Sequence, residues 1–195
     1  MKTITKTIYD YSELTGEAKD KAQQWLIECA GSSDWFDFVY EEWAEKLGEL
    51  GIDICTGNQD HPISIFFSGF YSQGDGAQFT GRVNLAEFLK AHKLASKYRA
   101  YLNWAKDYGS CTIKSNGHYS HELCTSFDFD SPDDGKAYDQ HNEVESLVID
   151  TCRSYMKQIY KELETEWNSV TSEEALKEDA EANDYTFDVY GNWEG

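Results

Sequence analysis

Apolar side chains recur every three or four positions in several long stretches of the chain, which is the spacing of an amphipathic helix. Thr15 has the position of an N-cap residue before the first stretch, and Gly31 and Gly51 stand where the first two stretches stop. We predict helices over residues 16–31, 33–51, 84–108 and 138–167. The segment Thr171–Glu174 has the pattern of a capping box and predicts a last short helix ending near Glu181.

Between these helices lie shorter segments rich in β-branched and aromatic residues, which favour strands. We predict strands over residues 3–11, 63–67, 77–83, 111–114 and 119–129, with an edge strand over 185–190. A glycine-rich loop at Ser68–Gly76 and an Asn116-Gly117 turn join the middle strands into two hairpins. Strands that arrive as hairpins predict an α+β fold: an antiparallel sheet built from hairpins and covered by several amphipathic helices. Because no long linker interrupts the pattern, we predict a single domain over residues 1–195.

Charge adds a strong bias to this picture. The 195 residues contain 36 Asp and Glu against 17 Lys and Arg, a net charge of −19. The excess of acids lies in the two ends of the chain, whereas residues 61–114 are locally basic. Such a field repels nucleic acid and anionic membranes and attracts basic proteins. There is no long apolar run, no signal-peptide pattern and no paired cysteine motif, so we expect a cytoplasmic protein.

The loop at Ser68–Gly76, called the SQGDG loop below, is the most distinctive candidate site. Its candidate binding residues are Phe70, Tyr71, Ser72, Gln73 and Asp75. Glycine-rich loops can bind phosphates through backbone N–H groups, but this loop has no lysine and matches no nucleotide-binding motif. Three interpretations stay open: a structural turn held by its own polar side chains, a binding loop that presents its aromatic residues, and a metal or catalytic role for Asp75.

Other combinations of reactive side chains are weaker. If residues 119–129 form a strand, His118, Glu122 and Cys124 share one face and could hold zinc with a fourth ligand; the alternative is a polar strand face. His92 fits a hydrogen-bonded position at the edge of the core. No nucleophile with a recognisable base is present. We therefore predict no catalytic residue, no metal and no cofactor, and the question of an enzymatic role stays open.

Two predicted helices carry rows of carboxylates that form a candidate acidic binding surface. These residues are Asp37, Glu41, Glu42 and Glu45 in the second helix and Glu173, Glu174 and Glu178 in the last one. Carboxylates that project from a helix can imitate the regular charges of a DNA backbone. Nearby Trp and Tyr side chains would supply anchors for a protein partner. The alternative is a solvated face that keeps the protein soluble.

The string SGFYSQGDGAQFTG at residues 68–81 resembles a family of tailed-bacteriophage accessory proteins. Three shorter segments fit the same resemblance: SELTGEAKDKA at 12–22, GHYSHE at 117–122 and EANDYTFDVYG at 181–191. The family pattern has Gly-Arg where this chain has Gly117-His118, so a role of that arginine does not carry over. The resemblance implies a phage context, in which small acidic proteins often antagonise host nucleic-acid enzymes or host immunity.

Three hypotheses from different classes follow. The first is an acidic interaction protein that antagonises a host nucleic-acid enzyme or anti-phage defence complex by DNA mimicry. Its partner is a basic host protein in the host cytoplasm, with no direct binding to nucleic acid or membrane and with the oligomeric state left open. The second is a nucleotide-binding or sequestering protein that uses the SQGDG loop and the adjacent basic helix, with Arg82 and residues 90–99. The third is a metal-dependent enzyme that uses Asp75 or the segment His118–Cys124.

Overall fold

The computed structural model describes residues 5–55, 62–117 and 119–194. Within them the chain forms two compact units. The first unit contains the residues up to Asp37 and from Glu164 onward, and the second unit runs from Phe38 to Leu163. Compactness alone does not establish that a segment folds independently. The prediction of one domain over residues 1–195 therefore stays a prediction.

The described residues form both α-helices and antiparallel β-strands. The α-helices are α1 Gly16–Gly31, α2 Asp37–Glu49, α3 Leu85–Ala91, α4 Arg99–Tyr108, α5 Gly135–Val170 and α6 Glu173–Ala182. The β-strands are β1 Tyr9–Asp10, β2 Ile52–Asp53, β3 Ile65–Ser68, β4 Gly76–Phe79, β5 Gly81–Asn84, β6 Ser110–Ser115, β7 Thr125–Phe129 and β8 Thr186–Phe187. All the paired strands are antiparallel. The predicted α+β class is confirmed.

The first unit has its own apolar core. In it β1 pairs with β8, so that Tyr9 lies opposite Phe187. The buried side chains come from the turn after β1, from α1, from α6 and from β8: Tyr11, Leu14, Ala22, Leu26, Leu176, Ala180 and Phe187. Trp25 packs at the edge of this core, where its ring stacks on Trp193 at 5.2 Å.

The second unit contains a four-stranded antiparallel sheet in the order β2-β5-β6-β7 and a separate hairpin of β3 with β4. The SQGDG loop joins the two strands of that hairpin, with Ser68 opposite Gly76. Helix α5 supplies a long buried row to this unit, and α2 contributes its inner face through Val39, Trp43 and Leu47. The Trp43 indole nitrogen donates a hydrogen bond to Glu162 Oε2 at 2.6 Å, which fixes the orientation of α2.

The helix predicted over residues 84–108 is wrong as one helix, because the structure breaks it into α3 and α4. Lys93 adopts a left-handed conformation with φ of 60°, and the Leu94 amide donates to Leu89 O. This is the Schellman arrangement that closes a helix. On either side of the break, His92 and Tyr98 keep the spacing of one continuous helix. The spacing of residues in the sequence could therefore not reveal the break.

The single strand predicted over residues 77–83 is also wrong, since it divides into β4 and β5 in two different sheets. The division falls at Gly81, where an added Cβ would lie 2.1 Å from the Asp53 carbonyl oxygen. Only glycine allows β5 to approach β2 this closely. The hairpin of residues 63–67 with the start of this segment is confirmed by the pairing of β3 with β4.

Several predicted boundaries need correction. The strand predicted over 3–11 is only Tyr9–Asp10 among the described residues, because the Asp10 amide bonds Glu13 Oε2 and a 3₁₀ turn follows. The second helix begins at Asp37 rather than Ser33. The last helix is confirmed, but the capping box is not. Ser172 is the N-cap residue, and its hydroxyl accepts from the amide of Ala175, which lacks a polar side chain to complete the box.

Candidate functional site

The SQGDG loop is held by the carboxylate of Asp75. Asp75 Oδ2 accepts hydrogen bonds from the backbone amides of Tyr71 at 2.9 Å and Ser72 at 2.6 Å. The Asp75 amide in turn donates to Ser72 O at 3.1 Å. Gly69 stands so close that an added Cβ would lie 2.9 Å from Asp75 Oδ2. This geometry supports the interpretation of Asp75 as the residue that closes the turn, because its Oδ2 accepts two backbone amides of the loop.

The two aromatic side chains of the loop lie in different environments. The Phe70 ring is half-buried between Phe67 at 5.6 Å and Tyr160 of α5 at 5.5 Å. Tyr71 is 79% exposed, and Ser72 and Gln73 are exposed as well. Phe70 therefore anchors the loop on α5, while the exposed members of the predicted set remain accessible for contact with a partner.

A second loop, residues 119–124, packs beside the SQGDG loop. An added Cβ at Gly76 would lie 2.9 Å from His121 Cδ2, so only glycine fits there. This second loop exposes Tyr119 and Leu123, and Phe66 of β3 is 46% exposed. The Tyr119 ring lies next to the SQGDG loop, since an added Cβ at Gly74 would be 3.9 Å from Tyr119 Cδ1. Exposed apolar side chains favour a contact surface. Sequence analysis did not predict Phe66, Tyr119 or Leu123 as site residues.

The second loop contains a nearly buried acid, Glu122, with 8% of its surface exposed. Lys157 Nζ approaches Glu122 Oε1 at 3.4 Å, and His121 Nδ1 approaches Glu122 Oε2 at 3.1 Å. The same His121 nitrogen accepts from the Leu123 amide at 3.1 Å. Lys157 is a basic side chain of α5, so its ion pair balances the charge of Glu122. Lys157 belongs to an acid-free run, Thr151–Lys161, whose three bases could have indicated it in the sequence.

The strand predicted over residues 119–129, on which the zinc interpretation depended, is wrong in its first half. Glu122–Cys124 forms a 3₁₀ turn rather than part of a strand, so the argument for a shared strand face fails. The Cys124 amide bonds His121 O and the Asn116 amide bonds Cys124 O, which delays the start of β7 to Thr125. His118 lies outside the described residues. Elsewhere in the described ranges, no three His, Cys, Asp or Glu side chains stand close enough to hold a metal ion.

The basic middle segment is spread over separate elements. Lys97 pairs with Glu143 at 2.6 Å, and this hydrogen bond raises the pKa of Lys97 to about 12 and lowers the pKa of Glu143. Arg82 Nη2 donates to Ser110 Oγ at 2.9 Å. Arg82 lines an open cleft of about 560 Å³ together with Lys106 and Tyr108. No residue of the SQGDG loop lines this cleft, so the two parts proposed for a nucleotide site do not meet there.

The predicted acidic residues of α2 share the solvent side of one helix. Asp37, Glu41, Glu42 and Glu45 are all exposed, and Glu49 and the 71% exposed Phe38 extend the row. At 100° per residue, the positions from 38 to 49 in this row fall within an arc of about 100°. We call Phe38, Glu41, Glu42, Glu45 and Glu49 the α2 stripe. In the part of the chain that the structure describes, none of its carboxylates forms an ion pair. The nearby Lys46 ammonium lies 3.7 Å from the centre of the Trp43 ring.

The predicted acidic residues of α6 lie in the first unit and are partly neutralised. Glu173 pairs with Lys19 at 2.5 Å, and this hydrogen bond lowers the pKa of Glu173 and raises the pKa of Lys19. Glu174 and Glu178 are exposed and have no ion pair among the described residues. The α2 acids after Asp37 belong to the second unit. The structure thus assigns the two predicted acidic sets to different units.

Residues 35–173 match the family described as Domain of unknown function (DUF8835). The chain belongs to this family. The DUF8835 match contains the whole second unit, and with it the α2 stripe and the SQGDG loop, but it stops at the first residue of α6. Comparison with curated proteins and with solved structures found no match. In the described residues, no helix is both long and apolar enough to cross a bilayer.

Proposed function

We propose that this protein is an acidic interaction protein, encoded by a phage, that antagonises a host nucleic-acid enzyme or an anti-phage defence complex. The α2 stripe is the observation that carries the proposal. Its carboxylates face solvent from one helix, and among the described residues they have no ion pair that would compete with a partner. Such a surface attracts the basic groove of a nucleic-acid-binding protein.

The density of charge on the stripe supports DNA mimicry. Glu41, Glu42, Glu45 and Glu49 lie along nine residues of helix, and the first and last are about 12 Å apart at 1.5 Å per residue. The mean spacing between neighbouring charges is therefore about 4 Å along the axis, against about 3.4 Å per phosphate along one strand of B-DNA. A groove that reads one DNA strand through Lys and Arg would meet a comparable row of negative charges.

Phe38 gives the stripe a feature that DNA lacks. It sits at the N-terminal end of the row, and most of its surface is exposed to solvent. Aromatic side chains that become buried in an interface contribute much of its binding energy. An exposed Phe beside four carboxylates therefore supports binding to a protein rather than simple solubility.

The test is affinity capture with immobilised protein in a bacterial lysate. A nucleic-acid-binding host protein should be retained at about 50 mM salt and released at about 500 mM. Duplex DNA added at low salt should release the same protein, because a DNA mimic and DNA compete for one groove. Glu41→Gln, Glu42→Gln and Glu45→Gln combined should weaken retention at least tenfold.

A charge-matched control separates the stripe from the overall charge. Asp133→Asn, Asp139→Asn and Asp150→Asn combined remove the same charge from exposed positions of the second unit outside α2. This variant should retain the partner almost fully. If both triple variants lose the same amount of partner retention, net charge alone explains the effect. If added DNA leaves retention of the partner unchanged, that result would contradict mimicry.

A second candidate function, nucleotide binding or sequestration, is supported by the cleft beside Arg82. Arg82 and Lys106 could contact phosphate there, and the exposed Tyr108 ring could stack on a base. No residue of the SQGDG loop lines this cleft, so the candidate rests on the basic side chains alone. Mass spectrometry of the protein extracted after mild purification should find a bound nucleotide, and Arg82→Ala should remove it. Absence of a nucleotide from the purified protein would reject this candidate.

A further inference from the structure

Strand β7 is the last strand of the four-stranded sheet in the second unit and has β6 as its neighbour. Two backbone bonds just beyond its ends fix the direction of its backbone groups. The Asp130 amide donates to Ser110 O at 2.9 Å, and the Asn116 amide donates to Cys124 O at 2.8 Å. Facing residues of an antiparallel pair alternate between those that exchange backbone bonds and those that exchange none. The odd-numbered residues of β7 therefore direct their N–H and C=O groups away from β6.

Two of these outward-facing residues are open to an added strand. In the ranges that the structure describes, no hydrogen bond joins the backbone of Phe127 or Phe129 to an element other than β6, and both residues are only half-buried. The third, Thr125, is 4% exposed, so the open part of the edge begins at Phe127. An edge with N–H and C=O groups that lack partners is a template for pairing with another chain.

The side chains give the two faces of this edge opposite character. Phe127 and Phe129 lie on the face toward α5, where their rings are 6.5 Å apart and the Arg153 guanidinium is 5.9 Å from the Phe127 ring. Asp128 lies between them and projects from the opposite face. Its carboxylate pairs with Lys114 of β6 at 3.1 Å, but 72% of the side chain stays exposed. A second cation can therefore approach Asp128 from the outer side of the strand.

The same acid opposes pairing of β7 with a second copy of the chain. Antiparallel pairing through both open residues would place Phe127 opposite Phe129 and Asp128 opposite its own counterpart. Like charges directly opposite each other destabilise a pair of strands. A register centred on Phe127 would need the buried Thr125, and a register centred on Phe129 would place Asp128 opposite Asp130. The edge thus favours a neighbour that has a base opposite Asp128.

We propose that β7 binds an extended segment of a partner protein as an added antiparallel strand, with Lys or Arg opposite Asp128 and apolar residues on either side. The residues opposite Phe127 and Phe129 exchange backbone bonds with them, and their apolar side chains lie beside the two rings. The residue opposite Asp128 belongs to the closer, non-bonded type of pair, which favours contact between the two charges. The inference rests on the proposed function only in taking the segment from a basic partner.

Hydrogen exchange followed by NMR tests the edge in the free protein. The amides of Phe127 and Phe129 should exchange about tenfold faster than those of Ser126 and Asp128, because only the latter bond to β6. This alternation along one strand is a property of the open edge and does not depend on any partner.

Synthetic peptides then test the occupant with the whole chain. One peptide has a valine-lysine-valine centre, and the control peptide of equal length has a valine-glutamate-valine centre. The lysine peptide should slow exchange at Phe127 and Phe129 and bind about fivefold more tightly than the glutamate peptide. Protection of these two amides distinguishes an added strand from a loose attraction between charges, which forms no backbone bond.

Substitutions at the exposed acid sharpen the test. Asp128→Asn should abolish the preference for the lysine peptide, and Asp128→Lys should make the glutamate peptide the tighter ligand. Asp134→Asn removes one exposed acid just beyond the strand and should change the affinity by less than about twofold. Far-UV circular dichroism confirms that each variant is folded.

Several outcomes would overturn the inference. Amides of Phe127 and Phe129 that exchange as slowly as their neighbours would show that the edge is already covered. Equal binding of the two peptides, or binding that leaves both amides unprotected, would exclude a strand that recognises Asp128. Protection that grows with protein concentration alone would make a second copy the occupant. Since the α2 stripe is tested by partner capture and β7 by exchange and peptides, either proposal can fail while the other stands.

Discussion

At the scale of single residues, Asp75 decides how the SQGDG loop is built. Its carboxylate accepts two backbone amides of the loop. Asp75→Ala leaves both donors without this acceptor, so we expect a loss of roughly 1–3 kcal/mol in the free energy of unfolding. Asp75→Asn keeps one acceptor oxygen and should lose less. Urea unfolding of the two variants checks the order, and an alanine variant as stable as the parent would show that the loop does not depend on this carboxylate.

Cys111 predicts the response of the fold to alkaline pH. Its side chain is fully buried, and burial raises the pKa of the thiol from 9.0 to about 12. Between these values the unfolded chain loses the proton while the folded chain keeps it. Stability due to this group is therefore complete below about pH 9 and declines as the pH rises toward 12. Urea midpoints measured across this range should fall.

The thiol's share of that decline can be isolated by substitution. Burial also raises the pKa of Tyr101, so part of the decline should remain when the thiol is absent. Cys111→Ala should make the fall of the urea midpoint with pH shallower, whereas Cys55→Ala, at an exposed position, should not. Equal slopes for the parent and Cys111→Ala would contradict the assignment to this thiol.

At the scale of elements, the break between α3 and α4 predicts a reversal of the usual effect of glycine. Lys93 is exposed and left-handed, so Lys93→Gly relieves backbone strain and should stabilise the protein by about 0.5–1 kcal/mol. Lys90→Gly removes the same charged side chain from inside α3 and should destabilise the protein by about 1 kcal/mol. Thermal unfolding of the pair provides the measurement, and equal signs would contradict the structure of the break.

The same break shows what the sequence could predict and what it could not. The first, second and fifth helices follow from apolar spacing, because each buries one continuous face. The last helix follows instead from the polar residues Thr171–Glu174 at its start. The split at Gly81 depends instead on how close β5 comes to Asp53, a contact between distant positions that local patterning does not contain. The candidate site divides in the same way. The SQGDG loop and the α2 acids are visible in the sequence, whereas Tyr119 comes to lie beside the loop only through tertiary packing.

At the scale of the whole molecule, the excess of acids is unequally divided. The first unit has 17 acids and 5 bases, whereas the larger second unit has 19 acids and 12 bases. Like charges gathered in one folded unit repel one another and oppose folding. At 0.1 M, dissolved salt largely screens the repulsion between exposed charges that are more than about 10 Å apart. We expect the thermal midpoint to rise by a few degrees as NaCl increases from about 10 to about 300 mM. KCl should act equally, and a midpoint that falls with both salts would contradict net repulsion.

Salt should act on partner binding in the opposite direction, and this contrast separates solubility from function. If the carboxylates of α2 serve only to keep the protein dissolved, salt screens the repulsion among the protein's own acids and has no effect on a complex. If they engage a basic groove, the same salt that stabilises the fold weakens the complex, because the attraction between protein and partner is screened as well. Capture of the partner should therefore decline over the range in which the thermal midpoint rises. The combined substitution of Glu41, Glu42 and Glu45 by Gln should flatten the decline in capture. A complex whose retention is independent of salt would require a contact built on apolar side chains such as Phe38 rather than on charge.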